Sequence, residues 1–173
     1  MKTLFAFSLI LPLIGGVLYT KSSGKNHKPE GGAVYYEYRY SGTMAYPFTF
    51  YQVMKDASGQ VRIAWIKDQG PDVVVIKASQ DVLEHIGTLA YEQKLYRIKE
   101  SYWPSVRVLD GTSWHMYMRF DKGSISSGGN NATAPAKRMQ GIYTINSYLQ
   151  SLIDASTEAD IILQENYREY INQ

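Results

Sequence analysis

The sequence predicts an α+β fold: a single domain with an antiparallel sheet of about six strands and two or three helices packed on one face. Three observations lead there. Between residues 33 and 76 the apolar residues alternate in short runs separated by turn residues, as in a strand meander. Around residues 82–90 and 139–153 the apolar spacing becomes helical. Between these two stretches, Trp114, Met116, Met118 and Phe120 alternate with Ser113, His115, Tyr117 and Arg119, the mark of a half-buried strand.

The chain opens with Met1-Lys2-Thr3 and an apolar run over residues 4–18, broken by Pro12 and Gly15-Gly16. A run of about 15 residues matches the apolar core of a signal peptide and falls short of the ~20 needed to span a bilayer. Residues 1–22 therefore read as a leader cleaved near Ser22, between Tyr19 and Gly24. The exported product would be periplasmic or extracellular, with no transmembrane span once the leader is removed. An uncleaved N-terminal helix acting as an anchor is the alternative. With no Cys in the chain, a lipid anchor on that residue, disulfides and thiolate chemistry are all excluded.

The leader holds two of the 18 basic residues and none of the 16 acidic ones, so the remainder is formally neutral. Such a balance lacks the clustered basic surface that nucleic acid selects, and no nucleic-acid partner is expected. Residues 23–32 (Ser-Gly-Lys-Asn-His-Lys-Pro-Glu-Gly-Gly) show no apolar period and read as a flexible tether, leaving 33–173 as the folded domain.

The domain opens with a strand in which Tyr36, Tyr38 and Tyr40 share one face and Tyr35, Glu37 and Arg39 the other. The tyrosine stripe reads as sheet surface packed under a helix, or as an exposed platform for a sugar or peptide. Further strands follow over residues 46–55, 60–67 and 73–76, with Asp56-Ala57-Ser58-Gly59 as a turn. Ser79 and Asp81 suit the start of a helix over 80–93. Residues 95–98 read as extended and 101–105 as a loop. The strand ending at Asp121-Lys122-Gly123 turns tightly into a partner over 124–127, followed by a glycine-rich loop. A second helix is expected over 137–154. A third, capped by Ser156-Thr157-Glu158, is expected to carry Ala159, Ile162, Leu163, Tyr167 and Tyr170 on one stripe.

Most catalytic motifs are absent. There is no nucleophile elbow, phosphate loop, dinucleotide fingerprint or zinc-protease helix, and the histidines at 27, 85 and 115 lack metal-ligand spacing. Neither a metal nor a cofactor is expected. Ser113 and His115 share a strand face about 7 Å apart, beyond the ~3 Å of direct proton transfer. No residue is therefore assigned a catalytic role, although a hydrolase using His115 with Asp110 or Asp121 stands as one alternative function. An inhibitor or assembly partner is another. The favoured reading is a non-catalytic binding or envelope-associated module for a protein or carbohydrate ligand. Its candidate residues are Gly128, Gly129, Asn130 and Asn131, where glycines admit a close approach and asparagines both donate and accept, with neighbouring Tyr117 and His115.

Asp110-Gly111-x-Ser113-Trp114, then Asp121-x-Gly123, then Ser127-Gly128 through Asn131-Ala132 to Pro135, followed by an amphipathic helix, resembles a pattern found in uncharacterised secreted bacterial proteins. Their D-G-x-S-W strand, D-G turn and S-G-x-N-A-x-P loop are matched across residues 109–153, with an insertion before Asn131-Ala132. The resemblance implies an exported bacterial setting and no particular activity.

Overall fold

The computed structural model describes residues 20–42, 49–66, 70–106, 108 and 111–172. The expected leader up to residue 19, the candidate Asp110, and Tyr46 and Phe48 of the second expected strand lie outside these residues. In chain order the described elements are β1 (Thr20–Ser23), β2 (Glu30–Ser41), β3 (Thr49–Lys55), β4 (Val61–Ile66), β5 (Asp72–Lys77), α1 (Asp81–Glu92), β6 (Ser101–Pro104), β7 (Ser113–Lys122), β8 (Ser124–Asn130), α2 (Ala136–Asp154), β9 (Ile161–Asn166) and α3 (Tyr167–Tyr170). The strands form one nine-stranded sheet in the order β1-β6-β8-β7-β2-β3-β4-β5-β9. The α+β class stands, with a sheet larger than the expected six strands. It is also mixed, because β6 runs parallel to β8 through the pairs Ser101 with Gly128 and Tyr102 with Gly129.

β2 is the spine. Its alternation places Tyr36 and Tyr38 on the face that α1 and α2 cover, which settles the tyrosine stripe as core. Val53, Tyr36, Met118 and Ile125 line up across β3, β2, β7 and β8, and all four are fully buried. Each such side chain contributes roughly 1.5–3 kcal/mol through apolar burial. Val82, Leu83, Ile86 and Ala90 of α1 close this layer together with Met139, Ile142, Ile145 and Leu149 of α2. Tyr36 keeps its hydroxyl satisfied by donating to Asn146 Oδ1 at 2.6 Å, so the phenol can lie in the core without an orphaned polar atom.

Both ends of the chain depart from expectation. Residues 20–22, expected in the leader, form β1 with Ser23, and the expected tether over 23–32 is fixed at both ends, Ser23 in β1 and residues 30–32 in β2, with 24–29 crossing between the strands. β1 pairs with β6 over four residues, and Asn26 is buried, donating to the carbonyls of Ile98 (3.0 Å) and Ser126 (2.8 Å) and accepting from Ser126 N (2.9 Å). Backbone pairing and one amide do here what apolar periodicity does elsewhere. Residues 101–105, expected as a loop, hold β6; four residues with a proline are too few to show a period. Residues 95–98 form a 3-10 turn at Leu95–Arg97 instead of extended chain.

The expected third helix is mostly strand. Thr157 and Asp160 form a reciprocal cap, yet it closes only a 3-10 turn at Glu158–Asp160. Ile161-Ile162-Leu163 then pairs along β5, where branched residues complete an otherwise open sheet edge. Only Tyr167–Tyr170 is helical, and it lies on the face opposite α1 and α2, packing Tyr167 and Tyr170 on Phe50 beside Ala64, Val73 and Val75. Two helices thus share one face and the short third covers part of the other. None of the helices among the described residues is long and apolar enough to cross a membrane.

Trp114 is buried on the core face of β7, and its Nε1 donates to the carbonyl of Ala132 at 2.8 Å. Trp114→Ala is expected to lower stability by about 3–5 kcal/mol. Chemical denaturation checks this, and a loss below about 1 kcal/mol would contradict the packing described.

Candidate functional site

The face of the sheet turned away from α1 and α2 divides in two. α3 covers the part over β3 to β5, whereas β2, β7 and β8 carry polar side chains with no helix above them among the described residues. Glu37 lies at the centre of this open part, opposite Gln52 on β3 and Tyr117 on β7. It is 6% exposed. A carboxylate this buried needs partners, and it has three. Tyr35 donates to Oε2 at 2.6 Å, Gln52 Nε2 donates to the same oxygen at 3.2 Å, and Arg39 Nε pairs with Oε1 at 2.7 Å.

The network extends outward. Gln52 Nε2 also donates to the Tyr35 hydroxyl at 2.9 Å, and its Oε1 accepts from the Tyr170 hydroxyl at 2.6 Å, so both ends of the amide are held. The Arg39 guanidinium lies 5.8 Å from the Phe50 ring centre, a cation–π distance. Burial raises the Glu37 pKa, but the pairing with Arg39 and the hydrogen bonds from Tyr35 and Gln52 outweigh it, and the carboxyl stays below its ordinary 4.5. Burial, and then Glu37 itself, holds the Tyr35 phenol well above its ordinary value. Burial pushes Tyr170 up to about 12. Glu37 is therefore ionised and the surrounding phenols are neutral donors across the physiological range.

Beside this centre stand side chains from β7 and β8. Register sets Gly128 opposite His115, Ser126 opposite Tyr117 and Asn130 opposite Ser113. The Tyr117 ring lies 5.9 Å from that of Tyr35, tilted by 57°. His115 Nε2 is 3.4 Å from Ser126 Oγ. The imidazole pKa is lowered by burial and further by Arg39, against an opposing pull from Glu37. Of the sequence-predicted site residues, His115, Tyr117, Gly128 and Asn130 thus come together on the open face.

Gly129 and Asn131 do not join them. Gly129 is paired with Trp114 in β8, and a Cβ there would strike the Ala132 carbonyl and the Trp114 indole. Asn131 takes the left-handed region at φ 50°, donates its N–H to the Thr112 carbonyl at 2.7 Å and accepts from Thr112 N through Oδ1 at 2.9 Å. Gly111 leaves no space for a Cβ against the Asn131 side chain. Glycine and tryptophan of the D-G-x-S-W stretch therefore meet the N-A stretch directly, forming a clasp under the open face and before α2. Strand β8 itself runs to Asn130, three residues past the expected return strand, so the glycines lie within the ladder.

Asp121 does not converge with His115. It accepts from Gly32 N at 2.7 Å, six residues along β7, roughly 20 Å away at about 3.4 Å per residue. Asp110 lies outside the described residues. Among the described residues no group of three His, Cys, Asp or Glu gathers to hold a metal ion. Tyr35, Glu37, Arg39, Gln52 and Tyr170 were missed by the sequence analysis as site residues. The signal for the first three is a Tyr-x-Glu-x-Arg alternation on one strand face; Gln52 and Tyr170 join through tertiary pairing that no local pattern shows. No protein-family model matches the chain, and none of the curated proteins compared with it is significantly similar.

The two asparagines should separate in stability. Asn131→Ala is expected to cost about 2–3 kcal/mol, combining a left-handed backbone position at about 1–2 kcal/mol with lost hydrogen bonds of about 0.5–1.5 kcal/mol each. Asn130→Ala, exposed in β8, should change stability by about 0.5 kcal/mol or less. Urea denaturation of both variants measures the difference, and equal losses would contradict the clasp.

Proposed function

We propose that the protein is an exported, non-catalytic binding module, periplasmic or extracellular, that takes a carbohydrate ligand on the open face of its sheet. The observation that carries this reading is the immobilised Glu37 centre, flanked by the part-buried Tyr35 and Tyr117 rings and by Arg39, Arg119 and His115. Sugar hydroxyls call for donors and acceptors at close spacing, and their C–H faces stack on aromatic rings that are only partly covered. Glu37 Oε2 already accepts from Tyr35 and Gln52, Oε1 is ion-paired with Arg39, and the depressed pKa makes the group a poor proton donor near neutrality. It suits the work of an anchor for Arg39 and Tyr35 better than that of a general acid. Export is supported by the leader-like apolar run and by the secreted-protein pattern in residues 109–153.

The test is retention on a panel of neutral and acidic oligosaccharides. Binding to at least one of them is expected, with affinity falling by about tenfold for Tyr117→Ala and for Arg119→Ala, since each removes contacts worth about 1 kcal/mol or more. Melting temperature should change little for Arg119→Ala. Failure to retain any of these sugars, or retention that neither variant weakens, would overturn the proposal.

A second reading, hydrolysis through His115, is favoured by one contact, the 3.4 Å approach of His115 Nε2 to Ser126 Oγ. In that case a small activated ester would be turned over by the wild-type chain and not by Ser126→Ala.

A further inference from the structure

Away from the open face, residues 24–29 cross from β1 to β2 as a strap, and the side chains they carry are mostly basic. Asn26 fixes the strap by its hydrogen bonds to Ile98 and Ser126. With Asn26 pinned, Lys25, His27 and Lys28 share the lining of a pocket of about 470 Å³ with Arg97 and Lys99, which arrive from the chain after α1. Ile98 and Tyr96 complete the lining. An adjoining recess of about 640 Å³ shares Lys28 and Tyr96 and adds Tyr91, Pro29, Glu30 and Gly31.

The cations here are held by rings. Lys28 Nζ lies 5.7 Å from the Tyr91 ring centre and 5.9 Å from that of Tyr96, and Arg97 Cζ lies 5.9 Å from Tyr96. Among the described residues none of Lys25, Lys28, Arg97 and Lys99 forms an ion pair; the pairs present involve Arg39, Arg62 and Lys122 instead. Two carboxylates stand at the margin: Glu30, at the start of β2 and lining the adjoining recess, faces Lys122 at 3.6 Å, and the Glu100 side chain lies against Gly24. In a chain that is formally neutral after its first 22 residues, four permanent cations and a histidine around one concave space form a pronounced local excess. Concentrated positive charge in a cleft with low-dielectric walls attracts anions strongly.

We propose that this recess is a binding site for a phosphate-bearing ligand, distinct from the open face. Four cations exceed what a single carboxylate neutralises, whereas a phosphate or diphosphate presents several acceptor oxygens to Lys and Arg donors approaching from two segments. Tyr91 and Tyr96 supply apolar walls for the organic part that the phosphate carries. A phosphorylated small molecule and a phospholipid headgroup share this chemistry.

Two probes distinguish the sources. Titration of the full chain with inorganic pyrophosphate should give binding at about 0.02 M ionic strength that weakens at about 0.15 M. Co-sedimentation compares vesicles of phosphatidylcholine alone with vesicles that also contain phosphatidylglycerol, the excess on the second reporting headgroup recognition. Lys28→Gln combined with Arg97→Gln should reduce binding by about tenfold or more with either probe. Lys122→Gln, a cation outside the pocket, should leave it unchanged, and circular dichroism melting confirms that the variants are folded. Binding to pyrophosphate alone assigns a soluble phosphate ligand, and binding to the anionic vesicles alone assigns a headgroup. Absence of both at low ionic strength, or an equal loss in Lys122→Gln, overturns the site.

Discussion

A carboxylate buried in the middle of the central strand constrains the whole sheet. Removing an ion of this size from water is unfavourable by several kcal/mol even after the protein relaxes, unless its oxygens find partners in good geometry. Glu37 finds hydrogen-bond donors in Tyr35 on its own strand and Gln52 across the ladder, and an ion-pair partner in Arg39. A slip of β2 by one residue would turn the carboxylate under α1 and α2 and bring Tyr36 and Tyr38 out, so one pairing register satisfies both faces at once. The need reaches to the C-terminus, because Gln52 is oriented by the Tyr170 hydroxyl, which arrives only after β9 has closed the edge of β5.

The two chain ends frame the open face from opposite sides. β1, the Asn26 strap and β6 secure the side of β8, while β9 and α3 secure the side of β5. Between them β2, β7 and β8 stay uncovered by the described residues, presenting polar groups on a paired ladder. Preorganised donors lose little freedom when a ligand arrives, which is the physical advantage strands would give the proposed binding surface. The clasp of Gly111, Asn131, Ala132 and Trp114 supports the same region from beneath.

Much of this was legible in the amino-acid order. The alternation of Trp114 to Phe120 fixed which side of β7 is core, and helical spacing placed α2 within one residue of its start at Ala136 and at its end, Asp154. The Ser156-Thr157-Glu158 cap misled, since a good cap promises a helix only if the residues after it have no better option. Ile161 to Leu163 had one in the edge of β5. The strap escaped because a single buried amide leaves no periodic trace. Tyr117 and His115 were readable as a polar strand face, but the centre beside them depends on Gln52 and Tyr170, which are 118 positions apart in the chain.

The central claim is that Glu37 stays ionised and holds the open face in order. The depressed pKa carries a definite sign. The stability due to this group is fully present above the unfolded value, near its ordinary 4.5, and is lost as pH falls through the lower folded value. Titration of the Glu37 side-chain carboxyl carbon by NMR in the folded protein measures this directly. The structure predicts a midpoint below 4.5, with the Tyr35 and Arg39 resonances shifting in the same pH range. A midpoint at or above 4.5 would show that burial outweighs the pairing with Arg39, and would contradict the account.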